Sequence, residues 1–412
     1  METTKLNESI NMITVEQARE RILSSIEQLG SEKTDLLSAL GRIIAEEVTA
    51  PWDIPPKDNS AMDGYALRAE DTLSASEKDP ITLEVTEDIP AGSIAKFKVN
   101  RGQAARIMTG APIPEGADSV LRMEDTQAQG DRVKILVPVT KGQDIRWAGE
   151  DVRCGDIVLT AGTEIRPAEI GMLASLGRSF ISVYQRPTVA VLSTGNELID
   201  IDEDLSAGKI VNSNGYALAA QVRECGAVPV LIGIARDTKE DLLAKFKAAA
   251  RADLIISSGG VSVGDYDLVK DIMQEIGNSM AFWRVAMRPG RPLAFGTIQG
   301  KPAFGLPGNP VSSMISFEQF VRPALRKMMG HQNLFRKTVK AVLKEDIRKK
   351  SGLKYFIRVR LLEENGQIMA SSTGEQGSGI LKSMVLADGL VELSEDLSEA
   401  QKGSIATVQL LR

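Results

Sequence analysis

At 412 residues, with 43% hydrophobic and 25% charged residues, the chain has the composition of an ordinary globular protein and the length of two to four domains. A net charge of −6, with both signs interspersed, argues against nucleic acid or a membrane surface as the whole protein's partner, yet leaves room for a local anion site. Cys154 and Cys225 stand far apart and outside any metal-ligand spacing, so free thiols in a reducing cytoplasm are expected. The polar first dozen residues hold no apolar leader segment, and no apolar run approaches the ~18 residues of a membrane span.

The elements are expected in the following order. Thr14-Val-Glu-Gln17 is a capping-box start, and Val15, Ala18, Ile22, Ile26 and Leu29 follow at helical spacing, with Gly30 as the stop. A second short helix is expected over 33–40. From 42 to 186, Val, Ile and Thr alternate with polar residues between frequent Pro and Gly, which predicts β structure interrupted by one helix at 167–176. Strands and helices then alternate: strand 188–193, helix 214–224, strand 228–234, helix 238–252 with Thr238 as N-cap, strand 254–257, helix 267–276, strands 282–287 and 293–298, and a long helix 309–329. This alternation predicts a doubly wound α/β domain with a mostly parallel sheet, whose ligands bind beyond the carboxyl ends of the strands. Runs at 339–343, 356–362, 368–371, 390–393 and 406–410 read as a small all-β tail without a helix.

The most informative stretch is Leu254-Ile-Ile-Ser-Ser-Gly-Gly-Val-Ser-Val-Gly-Asp-Tyr-Asp267. A buried strand runs straight into a glycine turn at Ser258, Gly259, Gly260, Ser262 and Gly264. Its backbone N–H groups can approach an anion because glycine has no side chain and tolerates positive φ. Asp265 and Asp267 stand where a divalent cation could bridge them to that anion. The pattern is neither a Walker loop nor a Rossmann fingerprint. Three further loops follow or precede elements on the same rim. They are Ser193-Thr-Gly-Asn-Glu197, Arg236-Asp237, and Gly305-Leu-Pro-Gly-Asn-Pro-Val-Ser-Ser313, where Asn309 suits an N-cap and Pro310 the first helical position. Gly308, Asn309 and Ser312 there make an anion seat, although a well-capped structural helix would look the same.

Arg284, Arg288 and Arg291 surround a Pro-Gly turn and offer forked donors to oxyanions; a solvated basic turn is the plain reading. The motif Asp58-Asn-Ser-Ala-Met-Asp-Gly-Tyr-Ala66 reads equally well as a structural Asx turn. The single histidine, His331 beside Gly330, reads as a solvent-exposed loop residue. One histidine makes no multi-histidine zinc site, and a Ser-His-Asp triad only if His331 serves it. The chemistry is left to carboxylates, hydroxyls, Lys and Arg, and a metal held by oxygen.

Asp58-Asn-Ser-Ala-Met-Asp-Gly-Tyr-Ala66, Ile107-Met-Thr-Gly-Ala-Pro112, Arg146-Trp-Ala-Gly-Glu-Asp151, Ser193-Thr-Gly-Asn-Glu-Leu198, Ser257-Ser-Gly-Gly-Val-Ser-Val-Gly-Asp265 and Gly305-Leu-Pro-Gly-Asn-Pro310 resemble, in order, the molybdopterin molybdotransferase family, to which the E domain of gephyrin is related. The glycine loop alone is shared with molybdopterin adenylyltransferases; six motifs in register cover essentially the whole chain. The resemblance implies insertion of molybdate into the dithiolene of adenylylated molybdopterin, with Mg²⁺-dependent hydrolysis releasing AMP. It also implies a cytoplasmic homodimer whose active site lies between subunits. The molybdopterin adenylyltransferase and apo-molybdoenzymes are its implied partners.

Four domains are implied: a discontinuous domain I (1–52 and 142–186), an inserted β-rich domain II (53–141), an α/β domain III (187–330) and a β-barrel-like domain IV (331–412). Asp63 and Thr109 match positions that the family uses from the partner subunit's side of the cleft. Glu197, Asp237 and Asp267 match acidic positions near nucleotide and metal, with Asp237 and Asp267 as the metal ligands. Arg288 matches a basic molybdate position, with Arg291 nearby and Arg358 and Ser378 of the tail as companions. Arg284, Arg288 and Arg291 stand where many members carry lysine, Asn196 stands where Asp is common, and Ser378 lacks the histidine that follows it in some members. An adenylyltransferase-like nucleotide enzyme would need only the central domain, and a non-catalytic scaffold would need partner-binding linkers not visible here.

Overall fold

The computed structural model describes residues 12–206, 208–260 and 279–411. The expected helix 267–276 and the distal glycine loop, with Ser262, Gly264, Asp265 and Asp267, lie outside the described residues. The chain divides into two compact units: Met1–Thr34 with Gly41–Ala45 and Ser182–Arg412, and Asp35–Leu40 with Glu46–Ile181.

In the larger unit the capping box forms as expected. The Thr14 hydroxyl accepts from the Gln17 N–H while the Gln17 side chain accepts from the Thr14 N–H, and the helix runs Val15–Ser25. It stops before Gly30, because Ile26 turns extended (φ −90°, ψ 127°) and caps it. Ile26 is nonetheless buried in the core.

A seven-stranded sheet follows the order Met12–Ile13, Ser279–Val285, Pro292–Ile298, Lys301–Leu306, Leu254–Ser258, Thr188–Thr194, Val228–Ala235. Lys301–Leu306, Leu254–Ser258, Thr188–Thr194 and Val228–Ala235 are mutually parallel, whereas Pro292–Ile298 is antiparallel to both its neighbours. The domain is therefore mixed α/β. Lys301–Leu306 was not anticipated: Lys-Pro at its start and Gly305 within it read as turn signals, while its position between two strands makes it sheet. Alternate residues feed the two faces. Val189, Val191, Leu254, Ile256, Phe304 and Leu306 pack with Leu218 and Val222 of the helix Ser213–Glu224, and Ala190, Leu192, Ile255 and Ala303 pack with Leu242 and Phe246 of the helix Lys239–Ala249.

The long helix starts at Pro310, as expected, and continues as Pro310–Ser316, a π-helical turn Phe317–Val321 and Arg322–Met328. All five side chains of the widened turn are buried. Glu318 is held there by Arg336 Nε (3.0 Å) and Gln221 Nε2 (3.0 Å), and Gln319 by Arg19 and by Gln409, to whose Oε1 it donates (2.9 Å). His331, expected in solvent, is half-buried just beyond the helix, where its N–H donates to the Arg326 carbonyl.

In the tail, Lys354–Glu364, Gln367–Ser372, Thr338–Leu343, Ile405–Leu410 and Gly389–Leu393 pair in succession, and the last pairs back to the first, closing a five-stranded barrel. Leu343, Tyr355, Ile357, Val359, Val391 and Val408 fill it. Phe356 and Leu390 belong instead to the core shared with the seven-stranded sheet. One short helix, Lys382–Val385, corrects the helix-free expectation.

The smaller unit is β-rich, with a six-stranded sheet ordered Ser119–Arg122, Gly64–Leu67, Gln103–Ile107, Ile81–Ile89, Arg132–Ile135, Thr126–Gln129 and the expected helix at Pro167–Ser175. The expected helix 33–40 is instead a strand, Ser31–Asp35, and one 3₁₀ turn, Leu37–Ala39. The Asp35 carboxylate caps only that turn, through the Ser38 N–H (3.0 Å). Gly64 explains one motif glycine: a Cβ there would lie 2.0 Å from the Leu121 carbonyl oxygen of the neighbouring strand. Among the described residues no helix is long and apolar enough to cross a membrane.

Burial, then the charges of Arg326 and Arg322, pull the His331 pKa from 6.5 down to about 4. The folded chain therefore resists a proton that the unfolded chain accepts, so this contribution is complete above pH 6.5 and is lost as pH falls toward 4. Denaturant melts across that window should show a steeper loss of stability for the wild type than for His331→Gln.

Candidate functional site

The parallel strands end at one rim of the larger unit, where a cavity of about 550 Å³ is lined by Ser193, Thr194, Gly195, Glu197, Asn212, Asn214, Asp237, Ser258, Gly259, Gly260, Gly308 and Asn309. Its size suits a small-molecule ligand. Two helices begin on it, Ser213–Glu224 after Asn212 and the long helix after Asn309. Free N–H groups at helix starts favour anions, and two such starts strengthen that preference. Asn309 is the N-cap residue as expected, but its side chain makes no capping bond; the Val311 N–H of the first turn is met instead by the Ser378 carbonyl (3.0 Å).

The floor is built by close backbone approach. Gly259 (φ +92°) donates its N–H to the Leu306 carbonyl (3.1 Å), and a Cβ on it would lie 2.7 Å from the Thr194 carbonyl oxygen. Asn214 Nδ2 donates to both Ser258 Oγ (2.8 Å) and the Gly308 carbonyl (2.7 Å), tying a strand end to the loop before the long helix. Ser193 Oγ donates to Asn212 Oδ1 (2.8 Å), which also caps its own helix by accepting from the Gly215 N–H. The hydroxyl of Thr194 is buried without a partner among the described residues. Thr194 belongs to the rim loop 193–197 expected from sequence, whereas Asn212 and Asn214 were not singled out. Their only cue was an Asn-Ser-Asn at a helix start, which reads first as capping.

Asp237 and Asn196 clasp each other: the Asn196 N–H donates to Asp237 Oδ2 (3.0 Å) and the Asp237 N–H to Asn196 Oδ1 (3.2 Å). Glu197 is exposed on the same wall. Among the described residues no three His, Cys, Asp or Glu side chains form a cluster able to hold a metal. Glu197 and Asp237 offer only oxygen donors, the set a hard cation such as Mg²⁺ prefers.

A second cavity of about 790 Å³ is lined by Arg288, Arg348, Lys349, Lys350, Tyr355, Arg358 and Gln376, among others. Arg288 reaches it because Met287–Arg288 pairs in parallel with the barrel strand, Arg288 opposite Tyr355. Gly290 (φ +98°) packs the same turn against the long helix, where a Cβ would lie 2.6 Å from Ser316 Oγ. The turn ends at Pro292, which lines the first cavity, so one short turn borders both. Arg358 is 1% exposed, and burial pulls its pKa from 12.5 down to about 10. Among the described residues no carboxylate pairs with it.

The fold thus brings Glu197, Asp237, Ser258, Gly259, Gly260, Gly308 and Asn309 to one cavity, and Arg288 and Arg358 to the other. Ser312 is buried in the first turn of the long helix, and the Ser378 carbonyl accepts from the Val311 N–H of that turn (3.0 Å). Arg291 is exposed and lines neither cavity, while its carbonyl accepts from the Val285 N–H (2.7 Å). Asp63 and Thr109 belong to the smaller unit and pair with each other there. The Thr109 N–H and hydroxyl both donate to Asp63 Oδ1 (2.7 Å each) and hold its carboxyl below the ordinary range.

A mixed α/β domain whose parallel strands end on a cavity-bearing rim, joined to a closed β-barrel, is the class of protein that this geometry defines. Family models agree in detail: "MoeA N-terminal region (domain I and II)" fits residues 13–177, "Probable molybdopterin binding domain" 190–327 and "MoeA C-terminal region (domain IV)" 340–411. A molybdopterin molybdenumtransferase of Nostoc sp. is 40% identical over 382 residues, 92% of this chain and 83% of that one. A molybdopterin molybdenumtransferase 2 of Mycobacterium tuberculosis is 41% identical over 379 residues, 90% and 92% of the two chains. The crystal structure of a molybdopterin biosynthesis moeA protein from Pyrococcus horikoshii OT3 superposes with a TM-score of 0.84 at 35% identity, covering 97% of this chain and 100% of that one. The chain belongs to the molybdopterin molybdenumtransferase family and is an enzyme of that transferase class.

Asn214→Ala removes the two bonds by which the Asn214 amide bridges Ser258 and the Gly308 carbonyl. It should lower unfolding free energy by about 1–2 kcal/mol, read from the denaturant midpoint.

Proposed function

We propose that the protein inserts molybdate into the dithiolene of adenylylated molybdopterin, with hydrolysis of the phosphoanhydride and release of AMP. The observation that carries this reading is the adjacency of two unlike anion sites. One is a rim where two helices begin beside Gly260 and Gly308, suited to a phosphorylated nucleotide; the other is a cavity holding Arg288 and the buried Arg358, suited to a small dianion. Membership of the family supports it.

In this reading Ser258, Gly259, Gly260, Gly308, Asn309 and Ser312 form the phosphate seat, with Ser262 and Gly264 of the same motif. Arg288, Arg358 and Ser378 receive the oxyanion, and Arg291 stands near Arg288 in sequence without lining either cavity. Water adds to phosphorus and AMP leaves as a phosphate monoester, so fixed N–H donors that meet the growing negative charge lower the barrier. Asp237 and Asp267 would hold Mg²⁺, with Glu197 beside them; when bound, the ion neutralises charge on the phosphoryl oxygens. Asp63 and Thr109 act from the partner subunit of a homodimer, where the Thr109 bonds keep Asp63 ionised as an acceptor. The four-domain division given above belongs to the same reading, as do a cytoplasmic setting, supply of substrate by a molybdopterin adenylyltransferase and delivery of product to apo-molybdoenzymes.

Purified protein given adenylylated molybdopterin, molybdate and Mg²⁺ should release AMP and yield cofactor that activates an apo-molybdoenzyme; absence of both products would sink the proposal. Asp267→Asn should abolish AMP release while the protein stays folded. Arg288→Ala should raise the KM for molybdate about tenfold, equal to roughly 1.4 kcal/mol, and leave nucleotide affinity nearly unchanged. Equal loss of both would reassign Arg288.

A further inference from the structure

We propose that Gln376, assisted by Ser383, is the positioning residue that aims the Arg358 guanidinium into the second cavity. The inference rests on the reading of Arg358 as an oxyanion ligand. Pairing between Lys354–Glu364 and Gln367–Ser372 ends at Val359 opposite Ser372, one residue short of Arg358. Beyond that point the Thr373 N–H still donates to the Arg358 carbonyl (3.0 Å), but it is the Gln376 side chain that supplies the acceptor for the Arg358 N–H. Its Oε1 accepts from the Arg358 N–H (3.0 Å), and its Nε2 donates to the Arg358 carbonyl (3.2 Å), as a peptide unit of a neighbouring strand would. The same Nε2 reaches Ser372 Oγ and the Gly374 carbonyl (3.1 Å each), so the amide also closes the 372–377 loop.

That loop then grips the side chain whose backbone it has fixed. Arg358 Nη2 donates to the Gly377 carbonyl (3.1 Å) and Nε to Ser383 Oγ (3.1 Å), while the Ser383 hydroxyl donates onward to the Ile380 carbonyl (2.7 Å). Two of the three guanidinium nitrogens are thus committed to neutral acceptors. No hydrogen bond of Nη1 is found among the described residues, and Arg358 is part of the lining of the second cavity. A neutral grip suits this task. A carboxylate would have fixed the guanidinium equally well but cancelled the charge that a dianion needs.

The test uses the full chain and separates molybdate handling from nucleotide handling. Gln376→Met keeps the length of the side chain and loses its polar atoms. It should raise the KM for molybdate at least about tenfold, the worth of a hydrogen-bonded charge left unaimed, with kcat at saturating molybdate and the KM for adenylylated molybdopterin within about twofold. Ser383→Ala should shift the molybdate KM in the same direction, and Ser383→Thr, which keeps the hydroxyl, should restore it. An unchanged molybdate KM in both Gln376→Met and Ser383→Ala would overturn the inference, as would an equal loss toward both substrates. Arg358→Ala separates the two layers. If it leaves the molybdate KM unchanged, the oxyanion reading itself fails. If it raises that KM while Gln376→Met does not, only the positioning role falls.

Discussion

Much of the larger unit depends on two residues of backbone, Met287 and Arg288, being paired to the barrel strand that begins at Lys354. The segment before them is a strand of the seven-stranded sheet, and so is the segment after Pro292. The connection between them is therefore pinned at both ends and docked on a second body in its middle. Lys354 adds a further bond, its N–H donating to the Ala286 carbonyl (2.8 Å), and the buried Phe356 and Leu390 carry the barrel's surface into the core of the sheet. Without that seam the arginines at 288 and 358 would belong to separate modules. With it they line one cavity.

The rim of the first cavity follows from a simpler rule. Parallel strands point the same way, so their carboxyl ends share an edge, and helices that follow begin there, their first-turn N–H groups met in part by Asn212, Thr238 and the Ser378 carbonyl. The local chemistry then refines the edge. Gly259 passes so close to Thr194 that no side chain fits, and the amide of Asn214 bridges two loops far apart in sequence. Charge is used sparingly on this wall: Asp237 is occupied on one oxygen by the Asn196 N–H, and Glu197 is left exposed.

Where local rules decide structure, the sequence was readable. The Thr14 capping box, Thr238 as a helix cap, Pro310 at a helix start and the five tail strands all emerged near their expected limits, because each is set by residues within a few positions. The failures were of two kinds. Lys301–Leu306 carries turn residues yet is a strand, because two neighbouring strands supply its pairing, and 33–40 looked helical although only one turn is capped. His331 looked exposed because nothing in its neighbourhood reveals that the fold packs around it. The rim loops could be ranked from spacing alone, but the second cavity could not. Its lining is drawn from a turn near 288 and a barrel strand and loops around 345–377, and only the closed barrel makes them neighbours.

The neutral surroundings of Arg358 carry a cost for selectivity. A buried cation with no carboxylate attracts any doubly charged tetrahedral ion, and sulfate carries the same charge as molybdate. Electrostatics therefore supplies affinity without discrimination. On the proposed reading, the choice between ions falls to size: how far the barrel wall holds Arg358 from Arg288, and whether a larger or smaller tetrahedron spans that gap. A rigid ring of five strands is well suited to keep such a distance, since every strand has a partner on both sides and none can drift alone.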